Sequence, residues 1–102
     1  MAKAFRFHYL YRDSGNYKTY GYKNFSNPNN LGLEDLVREL RESLISTEYF
    51  YPEQAGIRKF LFHRYPNDDS WYEFDWLEEI ESQYQHPPIE VLCWRLKFQN
   101  LQ

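Results

Sequence analysis

Residues 4–12, "AFRFHYLYR", place Phe5, Phe7, Tyr9 and Tyr11 at alternate positions, with Arg6, His8, Leu10 and Arg12 between them. Wound as a helix, those rings would scatter around the axis; extended, they fall on one side. The run is therefore read as a strand with one buried face. The turn-forming "DSGN" at 13–16 follows, and "YKTYGYKNF" at 17–25 returns as a second strand. Residues 1–25 are thus expected to form a β-hairpin with a loop of about four residues. That loop length sets Tyr9 opposite Tyr20 and Phe7 opposite Tyr22 on the inner face. Arg6, His8, Arg12, Thr19 and Lys23 then show on the outer face. A slip of one residue would turn the second strand over.

A different period follows. In "LGLEDLVRELRESLI", Leu33, Leu36, Val37, Leu40 and Leu44 make a single helical stripe, so 32–45 is expected to be a helix with Gly32 at its start. A one-stripe helix must lie on an apolar surface, and the inner face of the hairpin supplies one. "STEYFYPEQAG" at 46–56 reads as an irregular crossing whose aromatic residues plug the core edge. Strands are expected at 57–65, "IRKFLFHRY", at 71–76, and at 89–98, "IEVLCWRLKF". The middle one is ambiguous, because Ser70 with Glu73 also fits a capping box and Trp76, Leu77, Ile80 and Tyr84 fit a helix. Alternation of Tyr72, Phe74 and Trp76 favours a strand that gives way to a short helical or irregular stretch. The last run has apolar residues on both sides, as an interior strand would, or one covered by a partner. The expected fold is a single α+β domain over 1–102: a mostly antiparallel sheet of about five strands, drawn from the hairpin and 57–98, carrying one helix. Its ββαβββ order resembles that of β-grasp domains.

A chain of 102 residues can bury a core without metal or disulfide, and its lone Cys93 is expected to be a small buried hydrophobe in a reducing, cytoplasmic compartment. No run is apolar enough for a signal peptide or a membrane span. Residues 1–66 carry ten Lys/Arg against seven Asp/Glu, net +3, whereas 67–102 carry two against eight, net −6. That split argues against a general nucleic-acid binder.

The segment with most apparent chemistry is "PNDDSWYEFDW" at 66–76, which sets Asp68, Asp69, Glu73 and Asp75 among aromatic rings. It lacks the Asp/Asn repeat and central glycine of a calcium loop. A carboxylate-pair hydrolase would need two acids in contrasting environments, whereas strand alternation already places Glu73 and Asp75 outside. His8, His63 and His86 are too far apart in sequence for a zinc set, the glycines form no phosphate loop, and no serine sits in a nucleophile elbow. Nothing asks for a metal or cofactor, and catalysis is not expected.

Binding is left. Aromatic residues make up 21% of the chain, and such side chains anchor interfaces at low entropy cost. The first expectation is a protein-interaction module or inhibitor whose partner meets Asp68, Asp69, Trp71, Glu73 and Asp75. The alternative is a nucleotide or single-stranded nucleic acid on tyrosines, with Arg6, His8, Arg12 and Lys23 toward phosphates; the expected register disfavours it by burying Tyr20 and Tyr22. A homodimer through the final strand, burying Trp94, is a third arrangement. Together "YFYPEQAGI" at 49–57, "DDSWYEF" at 68–74, the tyrosine-rich hairpin and "SNPNNL" resemble a group of small uncharacterised bacterial proteins. The resemblance implies a bacterial, phage or mobile-element origin and no activity.

Overall fold

The computed structural model describes residues 2–12, 15, 17–60 and 71–99. Seven elements follow one another: β1 (Ala2–Arg12), β2 (Lys18–Ser26), α1 (Leu33–Ser43), β3 (Tyr49–Phe50), α2 (Pro52–Ala55), β4 (Tyr72–Ser82) and α3 (Ile89–Gln99). The four strands form one antiparallel sheet in the order β2-β1-β4-β3. The fold is α+β, with three helices rather than one and four strands rather than about five among the described residues. Residues 57–60 carry no regular structure; the remainder of the strand expected at 57–65 lies outside the described residues.

Phe5, Phe7 and Tyr9 of β1 point inward, as their alternation requires, and are buried. They meet Phe25 of β2, Phe50 of β3, and Tyr72, Phe74 and Leu77 of β4. Leu36 and Leu40 of α1, Leu44 just beyond it, and Ile89, Leu92, Cys93 and Leu96 of α3 close the core from the other side. The rings interlock: Phe7 stacks on Phe74 at 5.2 Å and meets Phe50 edge-on at 5.5 Å, arrangements that the quadrupoles of aromatic rings favour.

Three sequence expectations are corrected. First, the hairpin register is one residue off: Tyr9 faces Gly21, His8 faces Tyr22, and Leu10 faces Tyr20. Packing gives the reason. A Cβ on Gly21 would lie 2.8 Å from Tyr9 Cε2, so only glycine lets the Tyr9 ring cross β2. The second strand is accordingly turned over, with Tyr20 and Tyr22 outward and Lys23 inward.

Second, β4 is a strand along its full length from Tyr72 to Ser82, with no helical or irregular stretch before Ser82. Its partner on β1 jumps from Trp76 to Phe74 between His8 and Tyr9. Asp75 is the extra residue of a β-bulge, and such an insertion reverses the alternation beyond it. Tyr72 and Phe74 point in; then Leu77 points in and Trp76, expected inward, points out.

Third, the final segment is helix α3 and not a strand, so an edge-to-edge strand dimer through it does not arise. Ile89, Leu92, Cys93 and Leu96, at helical spacing, are all buried. Val91, Trp94 and Phe98 take the opposite side, with Trp94 stacked on Phe98 at 5.7 Å. Apolar residues on two sides of a helix had the appearance of a two-faced strand. Cys93 is buried as expected, and burial pushes its thiol pKa up to about 12. It is therefore held as the unreactive thiol.

Candidate functional site

Because the buried side chains of the helices join the inner-face cluster, the other face of the sheet is left to be explained. Alternation and register place Arg6, His8, Leu10 and Arg12 of β1 on it, beside Lys18, Tyr20, Tyr22 and Asn24 of β2. Glu73, Trp76, Glu78 and Ile80 of β4 and Tyr49 of β3 complete the row. Large rings normally seek cover, yet Tyr20 is 60% exposed, Tyr22 56%, Trp76 49% and Trp71, just before β4, 43%. A contiguous aromatic surface of this kind marks an interaction site more often than scattered exposure does.

Its side chains hold one another in place. Arg6 lies over the Tyr22 ring, 4.3 Å from its centroid, while its Nε donates to Asn24 Oδ1 at 2.9 Å. His8 stacks flat on Trp76 at 4.4 Å and 3°. Its Nε2 lies 2.9 Å from Glu78 Oε1, across the β1–β4 pair. Arg12 Nε donates to Glu73 Oε2 at 3.2 Å. Arg6 thus lies between a ring and an amide, His8 between a ring and a carboxylate, and Arg12 against a carboxylate, contacts that lower the entropy lost on binding because rotamers are already fixed.

Parts of the two surfaces read from sequence as alternatives share one sheet face. Trp71 and Glu73 lie on the same sheet face as Arg6, His8 and Arg12, and sheet order is the cause: β4 runs beside β1, so Glu73 comes opposite Leu10. Asp75 is exposed at the bulge. Asp68 and Asp69 fall outside the described residues. Lys23 does not belong to the face. It sits on the inner side, where its Nζ donates to the Gly56 carbonyl at 2.8 Å and lies 5.7 Å from the Phe25 ring. Tyr20, Tyr22, Trp76 and Tyr49 are the aromatic face residues that the sequence reading left out of its candidate sites. Gly21 between two tyrosines was the available signal, since a glycine opposite an inward ring fixes which neighbours point out.

Two concavities are cut into this face. At the β3 end a cavity of about 630 Å³ is lined by Arg12, Glu48, Tyr49, Trp71 and Glu73. At the opposite end one of about 390 Å³ is lined by Arg6, Asn24, Ile80 and residues 81–84. Beside the latter, Ser82 Oγ lies 2.8 Å from His86 Nε2. A hydroxyl and an imidazole at that distance could suit a nucleophile and its base, but Ser82 Oγ also accepts the Tyr84 N–H at 3.2 Å. Among the described residues no acid orients the His86 ring, and the pair is a local turn tie. No group of three or more His, Cys, Asp or Glu among the described residues could hold a metal. No described helix is long and apolar enough to cross a membrane. No protein-family model, curated protein or solved structure matches the chain.

Proposed function

We propose that the protein is a non-enzymatic binding module whose protein partner docks across the outer face of the sheet. The observation that carries this reading is the exposure of Tyr20, Tyr22, Trp76 and Trp71 on one continuous face, interleaved with Arg6, His8 and Arg12. Tyrosine, tryptophan and arginine are the side chains that dominate binding energy at protein interfaces. The charges favour a protein over a polyanion. The His8 ring and the Arg12 guanidinium each lie against a carboxylate, Glu78 and Glu73, so a phosphate approaching either would also meet a negative charge.

The test compares three immobilised baits: wild type, a Tyr22→Ser/Trp76→Ser face variant, and a Trp94→Ser control on the outside of α3. All three baits are checked for folding by thermal melts. Binders kept by wild type and the α3 control but lost by the face variant support the proposal. An identical set on all three sinks it.

A second reading is favoured by one specific observation. The corrected register supplies what single-strand stacking requires, an exposed Tyr22 with a guanidinium over its ring. Fluorescence anisotropy of labelled single-stranded oligonucleotides at low ionic strength decides it. Binding that weakens steeply with salt supports a nucleic-acid ligand, and no anisotropy change at low salt removes it.

A further inference from the structure

The cavity at the β3 end of the face has walls of a particular kind. Trp71 and Tyr49 present ring centroids 5.5 Å apart at 47°, which makes an open angle rather than a closed stack. Tyr51 meets Trp71 at 89° and 5.9 Å, so the indole is supported on one side and fixed in place. Carboxylates complete the lining. Among the described lining residues, Arg12, Glu48 and Glu73 supply one positive and two negative charges, and the Arg12 guanidinium is engaged by Glu73. The second carboxylate, Glu48, is exposed beside the two rings and accepts a hydrogen bond from the Tyr49 hydroxyl. The Tyr49 hydroxyl registers the resulting field: its pKa is raised, chiefly by the charge of Glu48, then by burial and Glu73, with Arg12 opposing. Ring faces are electron-rich, and two of them meeting at an angle next to a carboxylate attract an organic cation and disfavour an anion.

We infer that this cavity receives one basic side chain of the partner, an alkylammonium or guanidinium group resting against the Trp71 and Tyr49 rings and paired with Glu48. The inference rests on the sheet-face reading above and sharpens it by naming the partner group that enters the β3 end. At about 630 Å³ the cavity accommodates a whole lysine or arginine side chain. The flanking Arg12 limits occupancy to a single cation by satisfying Glu73 itself.

Small probes read the cavity without any partner. The indole N–H signal of Trp71, assigned by its loss in Trp71→Phe, is followed by NMR in the full chain. The probes are Nα-acetyl-lysine methylamide, its Nε-trimethyl form, Nα-acetyl-arginine methylamide and the neutral Nα-acetyl-norleucine methylamide. A saturable shift with a Kd on the order of 1 mM is expected for at least one cation, at least tenfold tighter than for the neutral compound. The cation that binds most tightly identifies the side chain. Glu48→Gln, an exposed change that leaves the core untouched, should weaken that cation at least threefold and leave norleucine unaffected. Equal shifts with norleucine, no effect of Glu48→Gln, or preferential binding of inorganic phosphate would each overturn the inference. If the probes fail while the face variant still loses its partner, this inference falls and the docking proposal stands. If the probes bind but wild type captures no protein, the docking proposal falls and the cation site stands alone.

Discussion

Replacing Gly21 by alanine is expected to destabilise the fold through one ring. The added Cβ would lie 2.8 Å from Tyr9 Cε2, 2.9 Å from Cζ and 3.0 Å from the hydroxyl oxygen. Ordinary contact begins near 3.4 Å, so the ring must retreat by about 0.6 Å. It has little room, because Phe7, Phe50, Phe60 and Tyr72 all lie within 5.8–6.1 Å of it, centroid to centroid. Overpacking of this sort costs ~1–3 kcal/mol, while removing a glycine from a strand returns ~0.5–1 kcal/mol. The central values leave a net loss of ~1 kcal/mol, or a fall in Tm of roughly 4–8 °C for a domain of this size. Urea melts at constant m-value measure it. The decisive comparison repeats Gly21→Ala in a Tyr9→Leu background, where the crowding atoms are gone. There the alanine should stabilise relative to its own parent. An equal loss in both backgrounds would refute the ring as the cause.

Other expectations are simpler. Leu40→Ala and Leu96→Ala, both fully buried between helices and sheet, should each cost ~2–5 kcal/mol in the same melts, whereas Trp94→Ser should change stability by only about 0.5 kcal/mol. The Cys93 thiol should resist a disulfide exchange reagent at pH 8 in the native state and react fully in denaturant. Its folded pKa lies above the unfolded one, from 9.0 to about 12, so the folded state keeps the proton longer than the unfolded state does. The stability difference between wild type and Cys93→Ala should therefore be flat below pH 9 and fall as pH rises from 9 toward 12, by ~1.4 kcal/mol per unit; a flat difference throughout would contradict the burial argument.

Helix α1 and the inward set of β1 were legible because one period ran uninterrupted in each. Leu36 and Leu40 recur on a single helical stripe, and Phe5, Phe7 and Tyr9 alternate without exception. Elsewhere tertiary packing overrode the local pattern. Tyr20 and Tyr22 read as core because they are large and apolar, but the Tyr9 ring claims the space above Gly21 and sends both outward. The 89–98 segment carried two apolar sets. Ile89, Leu92, Cys93 and Leu96 were the helical one, and Pro87-Pro88 ahead of them was an entry signal that the strand reading passed over. Of the candidate site, Arg6, His8, Arg12, Trp71 and Glu73 were found as two separate surfaces. Only the sheet order, which lays β4 against β1, joins them.

Asp75 has a consequence for how this face can be inherited. The bulge divides β4 into two phases, Tyr72 and Phe74 counting inward before it and Leu77 after it. The direction of Trp76 is set by the pairing of β4 with β1, which puts it opposite His8 and Leu77 opposite Phe7, and not by its own side chain. Loss of the codon for position 75 would remove the extra residue and leave a regular ladder, with Trp76 still opposite His8 and outward and Leu77 still opposite Phe7 and inward. Lineages that keep the length of β4 can therefore alter the chemistry of the outer face one residue at a time with the core undisturbed. A one-residue insertion or deletion elsewhere in β4, with no bulge to absorb it, turns core and outer face over together, and selection on folding will remove it whatever it does to binding.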